Sequence, residues 1–64
     1  MHSREILTLL KRAGWSVVAQ EGSHVQLKHA DRPGRVTVPH PRADMPVGTL
    51  KSIERQSGVA LRVK

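Results

Sequence analysis

Cysteine is absent from this 64-residue chain, and at that length the absence constrains how it can fold. A chain of this size hides only about 60% of its unfolded surface on folding. Disulfides and thiolate-bound zinc, which support many domains of this length, are both closed off. Stability must therefore come from the placement of apolar residues, and that placement is informative about the fold. The lack of cysteine also fits a reducing compartment, so a soluble, cytoplasmic chain is expected. The longest apolar run, residues 6–10, is interrupted by Thr8. It falls far short of the roughly 20 residues of a membrane span and of the core of an export signal. One domain over residues 1–64, without a membrane partner, is expected. With 38% hydrophobic residues and Trp15 as its one aromatic, the chain is lean but patterned, which favours a folded domain over a basic tail.

Ile6, Leu7, Leu9, Leu10 and Ala13 recur at the spacing of a helix with one buried face, which predicts a helix over residues 3–13. Ser3 is placed to cap its start, Glu5 favours the first turn and Lys11 and Arg12 the last, and Gly14 is suited to close it. From Trp15 the period changes. Residues 15–21 read as a strand, Gly22-Ser23 as a turn, and residues 24–29 as a second strand. In that second strand Val25 and Leu27 alternate with His24, Gln26 and Lys28, the signature of a sheet buried on one side with its polar face open to a ligand. Asp31-Arg32-Pro33-Gly34 has the composition of a turn, and residues 35–38 read as a third strand with Val36 and Val38 inward. Pro39 and Pro41 end the sheet and hold 39–42 as an extended loop. Asp44 is a reasonable cap for a second helix with Pro46 in its first turn and an inner stripe of Val47, Leu50, Ile53 and Ser57, ending at Gly58. Residues 59–64 fit either a frayed strand or the start of a further helix. The order predicts an α+β domain, α-β-β-β-α, with a three-stranded antiparallel sheet and both helices on one face.

Eleven Lys and Arg against five Asp and Glu give a net charge of +6. An excess of that size on a small domain points first to a phosphate backbone and second to an acidic protein surface. With four histidines and few carboxylates, chemistry near neutral pH falls to imidazole. His2 reads as a terminal residue and His29 as a polar residue at a strand end. His40 is held extended between prolines, with a structural or a functional role equally open. His24 stands out: it begins a strand on the polar face, just after a permissive glycine. Glu21, three positions earlier across the turn, is within reach of orienting that imidazole or of pairing with a nearby Lys or Arg.

The histidine spacings do not form a metal site, and none is expected. Ser23 and His24 are neighbours on a strand and point to opposite faces, which argues against a serine nucleophile. Paired carboxylates, a phosphate-cradling loop and a nucleotide fingerprint are all absent, and no cofactor is expected. An imidazole among cations suits one reaction well, the attack of an RNA 2′-hydroxyl on its own phosphate, which needs proton transfer and charge stabilisation only. On the residues alone, Lys28 on the His24 face is the first choice of cation, with Arg35 and Arg42 behind it. A non-catalytic RNA-binding module or a protein-interaction domain would need only the charge and the fold.

The ordered set Gly22-Ser23-His24, Leu27-Lys28-His29, Val36-Thr37-Val38-Pro39-His40-Pro41 and Gly48-Thr49-Leu50-Lys51-Ser52-Ile53 resembles the HicA toxins of HicA/HicB toxin-antitoxin modules. The likeness extends over residues 4–58, with Gln56-Ser57-Gly58 similar to the family's usual ending of the second helix. It implies a fold like that of double-stranded RNA-binding domains and a metal-independent endoribonuclease, an mRNA interferase that arrests growth. The histidine of the Gly-Ser-His motif, here His24, is the implied catalytic residue. Gly22, Ser23, Lys28, Arg35, His40, Arg42 and Lys51 are the expected RNA contacts. The implied partners are mRNA and a HicB-type antitoxin, with the free toxin a monomer and the antitoxin complex of higher order. An acidic antitoxin surface would complement the positive charge.

Overall fold

The computed structural model describes residues 1–61. Its elements are α1 (Ser3–Arg12), β1 (Trp15–Glu21), β2 (His24–His29), β3 (Arg32–Pro39) and α2 (Val47–Ser57). The strands form one antiparallel sheet in the order β1-β2-β3. One face of that sheet, built from Val25, Leu27, Val36 and Val38, is buried against Ile6, Leu7 and Leu10 of α1 and Leu50 and Ile53 of α2. Trp15, Met45 and Leu61 complete the core. The other face is left to solvent, as the alternation in residues 24–28 requires. The α-β-β-β-α order and the one-sided sheet agree with the sequence reading.

The start of α1 differs from expectation. His2 rather than Ser3 is the cap: its Nδ1 accepts from the Arg4 amide at 3.0 Å, and the Glu5 carboxylate accepts from the His2 amide at 3.1 Å. An imidazole nitrogen has taken the acceptor role usually filled by a hydroxyl. Ser3 is one residue further in and fully buried, where its hydroxyl is turned to a different use. The helix ends at Arg12 with Ala13 as its cap, one residue earlier than expected. Gly14 follows with φ +99°, and an added Cβ there would lie 2.7 Å from the His29 ring. Both the backbone angle and the space demand glycine.

The expected turn at residues 31–34 is displaced. His29 pairs with Arg32, so the turn is Ala30-Asp31 and β3 begins at Arg32. Pro33 and Gly34 lie within the strand, in a bulge where Lys28 stands against Pro33, Gly34 and Arg35. Because β3 is an edge strand, the missing Pro33 amide hydrogen leaves no neighbour without a donor. A second irregularity inserts Val18 between the pairs Val17↔Leu27 and Ala19↔Gln26, leaving Val17 and Val18 exposed.

The second helix begins later than expected. Met45 precedes a proline, which disfavours the helical region for it, so Asp44 cannot cap a helix there. Pro46 is the cap, with an extended ψ of 146° and no side-chain cap bond. Val47, expected inward, is exposed, and Met45 fills the core position instead. Past the Gly58 cap, residues 59–61 have no regular structure, and Leu61 is buried, its amide bonded to Glu54 Oε2 at 2.6 Å. The remaining positions of the 59–64 tail lie outside the described residues.

His29 shows why a strand-end histidine can be structural. Its Nδ1 accepts from the Asp31 amide at 2.9 Å, so Nε2 carries the proton and donates to the Ala13 carbonyl at 3.0 Å. The ring also meets Trp15 edge to face, centroids 5.3 Å apart. Together these contacts tie the end of α1 to the β2–β3 turn. His29→Ala is expected to cost about 1–2 kcal/mol, from two partly exposed hydrogen bonds and one aromatic contact. At this size that lowers the melting temperature by roughly 5–15 °C, as a thermal melt followed by circular dichroism would read.

Candidate functional site

The open face is organised by the hairpin that joins β1 to β2. Glu21 and His24 are direct partners across a loop of just Gly22 and Ser23, and Gly22 has φ +57°. A two-residue hairpin loop needs such left-handed backbone to match the strand twist, and glycine supplies it without strain. On its other side His24 is paired with Pro39. Directly opposed residues share a face, so Glu21, His24 and Pro39 form one row on the open side of the sheet. The His24 side chain is exposed, and among the described residues no side chain is bonded to its imidazole.

Gln26 is the next residue along that face. Its Oε1 accepts from Arg35 Nη1 at 2.6 Å, and its Nε2 donates to Glu21 Oε1 at 3.4 Å. A guanidinium only donates and a carboxylate only accepts, so the amide can be oriented in just one way. Arg35 is thereby drawn from β3 over the centre of the sheet. Lys28 is exposed on the same face but stands four strand positions from His24, about 13 Å along the backbone. Arg35 lies level with Lys28 in the register, and its bond to Gln26 directs its guanidinium to the residue between Lys28 and His24 on this face.

His40 is held differently. Its amide donates to the Ser23 carbonyl at 2.7 Å, extending the β2–β3 ladder to the hairpin. The imidazole turns toward the helices, where Nδ1 lies 2.7 Å from Ser3 Oγ. Ser3 Oγ also accepts from the Arg42 amide at 2.9 Å, and the Ser3 amide donates to the Arg42 carbonyl at 2.8 Å. The His40–Pro41 peptide within this loop is cis. Ser3 thus latches the start of α1 to loop 39–42, and that loop holds the hairpin carrying His24. The Arg42 side chain is exposed, its Nε 3.4 Å from the Asp44 carbonyl. Lys51 is exposed on α2, which packs against the covered face and so is not gathered with the others.

Of the expected site residues, Gly22, Ser23, His24 and the His40 backbone meet at one end of the sheet, and Arg35 is tied to Gln26 on the same face. Gln26, placed by the alternation on the polar face but not among the expected site residues, joins the site through its bonds to Glu21 and Arg35. Ser3, expected as a cap, contributes instead through its buried hydroxyl. A concavity of about 560 Å³ lies elsewhere, on the outer side of α1, lined by Arg4, Glu5, Thr8, Leu9, Arg12 and Ala60. No group of three or more His, Asp or Glu able to hold a metal ion forms among the described residues. No helix among them is long and apolar enough to cross a membrane.

No curated protein matches the chain. Among solved structures, it is similar to a chain of a HicA3 and HicB3 toxin-antitoxin complex, with 32% identity, a TM-score of 0.77, and coverage of 95% of this chain and 98% of that one. The family model described as the HicA toxin of bacterial toxin-antitoxin systems matches residues 3–59. That span includes the Gly22-Ser23-His24 hairpin, the whole sheet and both helices, and the chain belongs to the HicA toxin family.

Proposed function

We propose that this toxin is an endoribonuclease that cleaves mRNA without a metal ion, using His24 for proton transfer. The observation that carries the reading is an exposed imidazole on the open, polar face of the sheet, which also bears Arg35 and Lys28, on a chain of net charge +6. RNA brings its own nucleophile, so the protein need only move protons and stabilise charge on the phosphate. A shallow face is enough for this, because a polymer substrate is bound along its length and needs no deep pocket.

In this reading the Gly22-Ser23 loop and His40 form the end of the RNA path, Arg35 and Lys28 contact phosphates over the sheet, and Arg42 and Lys51 give longer-range attraction. A HicB-type antitoxin is the natural partner, covering the open face with an acidic surface and assembling with the toxin into a complex of higher order, while the free toxin is monomeric. The test is an in vitro cleavage assay on a messenger transcript in excess EDTA. Cleavage is expected to proceed, and an equimolar HicB-type antitoxin is expected to suppress it. Activity that appears only on adding Mg²⁺ would overturn the mechanism, and RNA that is bound but stays intact would leave a binding module in its place.

A further inference from the structure

Cleavage through the 2′-hydroxyl requires both a base and an acid, and His24 alone supplies one of them at a time. We propose that Glu21 is the general base of this chain and that His24, its partner across the hairpin, is the general acid. The proposal rests on the ribonuclease reading above and adds a second catalytic residue to it.

Three observations support it. First, Glu21 and His24 are directly opposed in the ladder and exposed on the same face, which places their Cβ atoms about 4.5–5.5 Å apart. Second, the carboxylate is not spent on the imidazole. It bonds to Gln26, the next residue on the His24 face, which draws it along the sheet and lets the two side-chain tips diverge around a phosphate. Third, Gln26 is itself set by Arg35 at 2.6 Å. The guanidinium has five donors and spends one on Gln26, so it keeps others for a phosphate oxygen. A neutral amide lies between the cation and the carboxylate, so Glu21 is held in place without being neutralised by a direct ion pair.

The step balances. Glu21 takes the 2′-hydroxyl proton as the bond from the 2′-oxygen to phosphorus forms. The bond from phosphorus to the 5′-oxygen breaks, its electron pair stays on that oxygen, and the His24 imidazolium protonates it. Arg35 meets the charge that accumulates on the non-bridging oxygens. The products are a 2′,3′-cyclic phosphate and a 5′-hydroxyl, and proton exchange with water resets both side chains.

The roles separate on the leaving group. An RNA oligonucleotide with a single scissile linkage is prepared with the ordinary 5′-oxygen and, in parallel, with a bridging 5′-sulfur, which departs as a thiolate without a proton. On the oxygen substrate, Glu21→Gln and His24→Ala are each expected to lose about 10²- to 10⁴-fold in rate. On the sulfur substrate His24→Ala recovers to within about tenfold of wild type, whereas Glu21→Gln stays impaired. Both side chains are exposed, and melting temperatures near wild type are expected to confirm that the variants fold. Glu21→Gln cleaving at the wild-type rate, Glu21→Gln rescued by sulfur, or His24→Ala not rescued would each overturn the assignment. His24→Ala cleaving the oxygen substrate at the wild-type rate would instead overturn the role of His24 on which the assignment rests, and wild-type protein that leaves this substrate intact would overturn the ribonuclease reading itself.

Discussion

Replacing His24 by alanine is expected to lower RNA cleavage by about 10²- to 10⁴-fold while leaving the fold unchanged. The first half follows from the chemistry. A positioned proton-transfer group is worth about that much, and among the described residues no other imidazole is available on the open face. His29 is committed at both ring nitrogens to Ala13 and Asp31, and His40 turns to Ser3 on the covered side. The second half follows from burial. His24 is exposed and lies outside the core cluster, so its loss removes no core contact, and an exposed substitution of this kind stays within about 0.5 kcal/mol. Single-turnover cleavage beside a thermal melt checks both halves. Wild-type cleavage by His24→Ala would remove the histidine mechanism. A collapsed melt would show that the residue has a structural task the fold does not reveal.

Ser3→Ala is expected to be the most damaging single truncation of a small side chain. Its hydroxyl is fully buried and serves both the His40 ring and the Arg42 amide. Removing it leaves both without a partner, at about 2–4 kcal/mol in total. The whole stability of a chain this long is on the order of 3–10 kcal/mol, so much of it is lost, and the melting temperature falls by roughly 10–25 °C. Thr8→Ala on the same helix is the control, since that hydroxyl is exposed and bonds only the Arg4 carbonyl, at 3.0 Å, and its loss stays within about 0.5 kcal/mol. Equal melts for the two variants would mean that the latch between α1 and loop 39–42 is not holding the fold. The latch bears on function too, because His40 bonds the Ser23 carbonyl, one residue before His24.

The alternation of His24, Gln26 and Lys28 with Val25 and Leu27 was legible in the chain, because a half-buried strand leaves a period of two that no helix can produce. The face bearing His24 followed from it. The bulges were not legible. Pro33-Gly34 has the composition of a turn, and only the pairing of His29 with Arg32 shows that β3 has already begun. Register also decided which side chains meet on that face: Arg35 is tied to Gln26 by a cross-strand bond that sequence distance cannot show. The Ser3 latch joins residues 37 and 39 positions apart, and a serine before an apolar stripe reads equally well as a cap. In each case the local signal was real, and a contact distant in sequence decided its use.

The most direct test of the central claim is the chemistry of the cut ends. RNA cleaved by the purified toxin in excess EDTA is analysed by mass spectrometry. Attack by the 2′-hydroxyl with proton transfer at His24 predicts 2′,3′-cyclic phosphate on the upstream fragment and a 5′-hydroxyl on the downstream one. A 3′-hydroxyl with a 5′-phosphate would mean that water was the nucleophile and would contradict the account.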